Sequence, residues 1–195
     1  MPGWARFLIC GLIGIAAGTG YAISQVRGGF ADGTIINGPW TSGKSFGSTD
    51  ANALTRAKVA LSGLLALPAK EAMYFTASVD GEGRPLEGRC RYAISGGALE
   101  SRWWSLTLYD PKGYLVANTR NLYSAGSAAI VMNESMPPTW TVFVGPDNSA
   151  DTTNFIPTGG SKNLDLTLRT YHPTGALLAT PGKVALPSIT RESCL

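Results

Sequence analysis

Hydrophobic and polar positions alternate most cleanly over residues 103–109. Trp104, Leu106 and Leu108 form one row there, and Trp103, Ser105, Thr107 and Tyr109 form the other. A period of two puts the rows on opposite faces of a β-strand. The following Asp110-Pro111-Lys112-Gly113 places Asp at i, Pro at i+1 and Gly at i+3 of a type I turn. Leu115 and Val116 then begin a return strand, so residues 102–118 are expected to form a hairpin with one face buried and one presented.

The same period recurs along the chain. Cys90, Tyr92 and Ile94 alternate with Arg89, Arg91 and Ala93; Trp140, Val142 and Val144 share a side; Leu164, Leu166 and Leu168 oppose Asp165, Thr167, Arg169 and Tyr171. Residues 71–79 and the apolar run 128–132 add further strands, and Asp80-Gly81-Glu82-Gly83 is a hairpin turn. Short strands divided by Gly, Pro, Asn and Asp indicate a mainly β fold, an antiparallel jelly-roll-like β-sandwich. One stretch has a helical period instead. Leu54, Ala57, Leu61, Leu64 and Leu65 form a stripe after Asp50, an N-cap residue, and Pro68 ends it. This is read as one helix packed on the sheet.

Residues 7–23 contain no charge and lie between Arg6 and Arg27, at the lower length limit of a membrane-spanning helix. The chain therefore divides into an N-terminal transmembrane anchor at 1–26, a Gly/Ser/Thr-rich linker at 27–49 and a domain at 50–195. A cleaved signal peptide ending near Gly20-Tyr21-Ala22 is the rival reading of the first segment. Arg6 keeps the short head in the cytoplasm by the positive-inside rule. The expected location is single-pass in the inner membrane with the globular domain in the periplasm. Within the linker, Ile35, Ile36 and Trp40 are expected to dock on the domain.

Charge and residue counts remove several classes of function. With 16 Lys and Arg against 13 Asp and Glu, the net charge is +3, and no basic run exists to follow a nucleic-acid backbone. One histidine, His172, and cysteines at 10, 90 and 194 show no metal-ligand spacing, so no metal and no cofactor are expected. In an oxidising compartment Cys90 and Cys194 could pair, closing a loop worth roughly 4–5 kcal/mol; the other reading leaves two unpaired thiols.

Several segments taken in order resemble the bacterial family known as domain of unknown function 1214. They are Tyr74, then Asp80-Gly81, then Gly83-Arg84-Pro85-Leu86-Glu87-Gly88 and Tyr92. Trp104-Ser105-Leu106-Thr107-Leu108-Tyr109-Asp110 follows, then Asn154-Phe155-Ile156-Pro157 and Leu168-Arg169-Thr170-Tyr171-His172-Pro173. Gly38-Pro39-Trp40-Thr41 and the helix at 56–67 resemble short, membrane-anchored members. The resemblance implies the jelly-roll-like sandwich. In longer relatives a domain of unknown function 1254 accompanies this one, which suggests that a separate protein supplies it here. Phe155-Ile156 stands where relatives tend to have Trp-Leu, and the tail at 182–187 lacks the usual Trp and one Pro. The family supplies no catalytic residues, and none is assigned.

A site is therefore sought on the face opposite the apolar rows. Trp103, Tyr109 and Tyr171 would share it with Arg91, Arg169 and Asp165 if their strands are neighbours in register. Aromatic plates beside a few polar groups suit a sugar or polar small molecule, or else a protein interface. The biochemical function read from the sequence is unknown beyond a membrane-anchored extracytoplasmic binding or assembly domain of a cell-envelope complex. The alternative is a hydrolase-like enzyme acting on glycan or other envelope substrates through a carboxylate pair from Asp80, Glu100, Asp110 and Asp165.

Overall fold

The computed structural model describes residues 2–27, 34–43, 47–48, 51–61, 66–147 and 153–195. It begins with a helix, α1 (Gly3–Arg27), rich in Ile, Leu and Ala and without proline. None of its Gly3–Gln25 span is buried against the rest of the chain. At a rise of 1.5 Å per residue, 23 such residues reach about 35 Å, enough to cross the roughly 30 Å hydrocarbon core of a bilayer.

The remainder is mainly β. Its strands are β1 (Thr34–Asn37), β2 (Trp40–Gly43), β3 (Ala72–Ala77), β4 (Cys90–Gly96), β5 (Ser101–Tyr109), β6 (Ser124–Gly126), β7 (Met132–Asn133), β8 (Thr139–Gly145), β9 (Phe155–Pro157), β10 (Asp165–Pro173) and β11 (Ser188–Cys194). Two short helices join them, α2 (Ala53–Leu61) and α3 (Gly175–Ala179). One sheet has the order β1-β2-β3-β10-β5-β6 and the other β11-β4-β8-β7, with β9 added parallel to β8. Every other strand pair is antiparallel.

The core lies between the sheets and consists of the alternating rows. Leu168 sits opposite Leu106 and Phe75, and Leu166 opposite Leu108 and Ala77. From the second sheet come Cys90, Tyr92, Ile94, Trp140, Val142, Val144 and Ile189, all buried. Trp104 and Trp140 join the two layers as a stacked pair, with ring centroids 4.3 Å apart. The Trp140 indole N–H is not orphaned, for it donates to Gly97 O at 2.8 Å. Gly96 is its register partner, and a Cβ there would stand 2.7 Å from the Trp140 ring, so only glycine admits the indole.

Three features differ from the sequence reading. The turn after β5 forms, with Asp110 Oδ1 accepting from the N–H of Lys112 and Tyr114 and Gly113 at φ +83°. The chain then bridges back only at Leu115, and β10 and β6 are the neighbours of β5. No return strand follows because Val116 turns into the core instead of pairing. Part of the expected linker is the β1–β2 hairpin, whose Trp40 is buried and donates to Pro187 O at 2.7 Å. The helix is described over Ala53–Leu61, and its cap is Asn52 in place of the expected Asp50, with Asn52 Oδ1 accepting from Thr55 N at 2.8 Å. Leu54 and Ala57 are half-buried; Asp50, Leu64 and Leu65 lie outside the described residues. Of the two readings left open for the cysteines, the structure has the paired one: Cys90 and Cys194 occupy register positions on β4 and β11 and are joined by a disulfide, while Cys10 is free and exposed on α1.

Candidate functional site

The outer face of the six-stranded sheet gathers most of the aromatic and polar candidates. Register brings Tyr171 opposite Trp103, Arg169 opposite Ser105 and Tyr74, Thr167 opposite Thr107, and Asp165 opposite Tyr109. The Trp103 and Tyr171 rings form a tilted pair with centroids 5.0 Å apart, and Trp103 remains 38% exposed. Arg169 extends along its strand and donates from Nη2 to the Tyr109 hydroxyl at 2.8 Å. Its guanidinium lies 5.3 Å from the Tyr109 ring centroid and 6.0 Å from that of Tyr74. This bridge passes over the Thr107–Thr167 pair, which explains why two outward-pointing threonines are buried.

Arg91 does not belong to this face. It lies on β4, in the other sheet, where it stacks 4.1 Å from the Phe143 ring centroid and pairs with Glu192. Alternation along a single strand defines which residues share its side but not which sheet it joins. Tyr74, not among the sequence candidates, takes the place expected for Arg91. Its hydroxyl accepts from Leu67 N at 3.0 Å. The segment 72–77 is apolar on both faces, so its periodicity gave no signal for Tyr74.

Of the four acids considered as a catalytic pair, Asp80 and Glu100 are held in local structural contacts, whereas Asp110 and Asp165 lie near enough for their charges to interact. Asp80 is buried, accepts from the N–H of Glu82 and Arg84 at 3.0 Å, and has Arg84 and Arg191 Nε atoms 3.0 Å from Oδ2. Burial pushes its carboxyl up, but the hydrogen bonds from Arg84 and Glu82 outweigh this and hold it below the ordinary carboxylate range. A lowered carboxyl stabilises the fold above its unfolded pKa, and that contribution fades as pH falls through the folded value. Glu100 Oε2 accepts from Leu177 N at 3.2 Å at the start of α3, and Asp110 holds its turn.

Asp165 behaves in the opposite way. Burial and, secondarily, the charge of Asp110 push its carboxyl above the ordinary range. Its native state holds the proton more tightly than the unfolded chain, so its ionisation weakens the fold as pH rises through that raised value. His172, at φ +47°, is exposed with Nδ1 3.5 Å from Glu71.

A concavity of about 800 Å³ lies at one end of the sandwich, away from this face. Glu87, Arg89, Asp147, Gly159 and Lys162 line it. Three of its charged groups already have internal work: Glu87 pairs with Arg89 at 2.7 Å, and Asp147 accepts from Thr119 and from Gly159 N.

Comparison with known proteins adds the following. The VPA0106 protein from Vibrio parahaemolyticus, known from a crystal structure, is similar over 93% of this chain and 44% of its own, at 22% identity and TM-score 0.62. A putative uncharacterized protein from Burkholderia cenocepacia aligns over 92% of this chain and 42% of its own, at 13% identity and TM-score 0.46. This chain thus spans less than half the length of either solved protein. No functionally curated protein matches. The likeness to the Vibrio protein is one of fold. The family described as Protein of unknown function (DUF1214) matches residues 71–175, from the residue before β3 to the first residue of α3, and the chain belongs to that family.

Proposed function

We propose that the chain is a binding and assembly domain of a cell-envelope complex, held in the inner membrane by α1 and presented in the periplasm. The observation that carries this reading is the combination of an apolar helix whose membrane-length span is not buried against the rest of the chain with a β-fold closed by the Cys90–Cys194 disulfide. Disulfides persist in oxidising, extracytoplasmic compartments. With Arg6 on the cytoplasmic side, α1 delivers the sandwich to the outer side of the membrane. The sandwich is jelly-roll-like, its antiparallel strands passing repeatedly between the two sheets.

The binding surface in this reading is the outer face around Trp103, Tyr109, Arg169 and Tyr171. The assembly partner is a separate protein carrying the domain of unknown function 1254. More than half of the matched Vibrio chain lies outside the region shared with this one, which supports a larger working unit. Affinity purification of the full chain from native membranes in mild detergent tests it. Recovery with a stoichiometric protein bearing that domain is expected; recovery of the chain alone would count against assembly.

A further inference from the structure

We propose that the outer face of the six-stranded sheet binds an acidic sugar, with Arg169 receiving the carboxylate and the Trp103–Tyr171 pair receiving the ring. The inference rests on the binding reading of this face given above and supplies the ligand's chemical class.

The charge argument comes from comparing arginines. Arg84, Arg89, Arg91 and Arg191 of the sandwich each pair with a carboxylate. Arg169 does not: among the described residues no acidic group lies within ion-pair distance of it, although it is half-buried in the middle of a sheet. A guanidinium has five N–H donors, and among the described residues this one uses one, toward Tyr109. Removing a cation from water is costly, and tyrosine rings offset only part of that cost. A planar carboxylate meeting the remaining donors side-on would complete the site. The Tyr109 hydroxyl accepts from Arg169, so its own proton is available to the same anion.

The ring argument comes from spacing. Tyr171 and Arg169 are two residues apart on β10 and so share a face, about 7 Å apart along the strand. That is the span of one pyranose ring with its carboxylate. Trp103, the exposed member of the ring pair, offers an apolar plate for the C–H face of the sugar, and the Tyr171 hydroxyl can serve its ring hydroxyls. Beyond Tyr109, the neighbouring acids Asp165 and Asp110 disfavour a second negative group at that end. The preferred ligand is therefore a single uronic acid unit, free or at the end of a glycan.

Titration calorimetry of the full chain in detergent with D-glucuronate, D-glucose and benzoate tests this. Saturable binding of glucuronate at millimolar concentration is expected, with glucose and benzoate at least about tenfold weaker. Arg169→Gln and Trp103→Ala should each weaken glucuronate by about tenfold or more, while the protein stays folded and its unfolding midpoint falls by no more than about 4 °C. Glucuronate binding that survives Arg169→Gln, equal binding of glucose or benzoate, or no saturable binding by the unaltered chain would overturn the proposal. Partner capture uses no sugar, so its success or failure is scored separately.

Discussion

Trp104→Ala is expected to lower stability by about 3–5 kcal/mol, the range for deleting a large buried aromatic. Trp104 is buried, and it is the side chain through which the six-stranded sheet grips the five-stranded one, stacked on Trp140 at 4.3 Å. Alanine would leave a void next to a second indole whose N–H is fixed on Gly97 and which cannot follow. Domains of this size have only about 5–15 kcal/mol of stability, so the loss is a large share of the whole. At about 2–4 °C per kcal/mol the melting temperature should fall visibly. Trp140→Ala should cost a similar amount, and the double variant less than the sum, because the second deletion removes a contact already lost. The neighbouring tryptophan is the control. Trp103 points to the other face, so Trp103→Ala is expected to cost about 1 kcal/mol, mainly its ring pairing with Tyr171. Thermal melts of the two alanine variants side by side check the assignment of faces; equal losses would refute it.

Breaking the disulfide is the second large effect. Cys90 and Cys194 are 104 residues apart in sequence, a loop whose closure is worth about 4–5 kcal/mol in the chain-entropy treatment. The bridge ties β11, at the edge of its sheet, to β4 beside it. Cys194→Ser is the cleaner variant, since Cys194 is exposed whereas Cys90 is fully buried and its replacement would add a packing loss. Urea unfolding of Cys194→Ser is expected to move to lower denaturant by the same amount as adding a thiol reductant to the unaltered protein. No change under reduction would contradict the bridge's contribution.

The β-layers were legible because their rows are long and one-sided. Trp104/Leu106/Leu108, Leu164/Leu166/Leu168, Trp140/Val142/Val144 and Cys90/Tyr92/Ile94 are all buried in the sandwich. Where the physical signal is short or two-sided it faded. Strand β1 has four residues and α3 five, too few for a period to stand out, and Gly175 at φ +51° reads as a turn. The return strand after the Asp110 turn was expected from turn chemistry, which specifies a reversal but not which strand becomes the neighbour. Pairing across 60 residues, as between Arg169 and Tyr109, leaves no local trace either. The candidate face could therefore be listed strand by strand, while its membership depended on register: Arg91 left it and Tyr74 entered.

The orientation of the sandwich relative to the membrane tests the central claim most directly. Arg102 is exposed at the start of β5, and Cys10 is the free thiol, so a Cys10→Ser, Arg102→Cys variant carries one reactive reporter on the β-domain. In spheroplasts, a membrane-impermeant maleimide is predicted to label this cysteine without permeabilisation. Labelling only after the membrane has been permeabilised would place the sandwich in the cytoplasm and contradict the account.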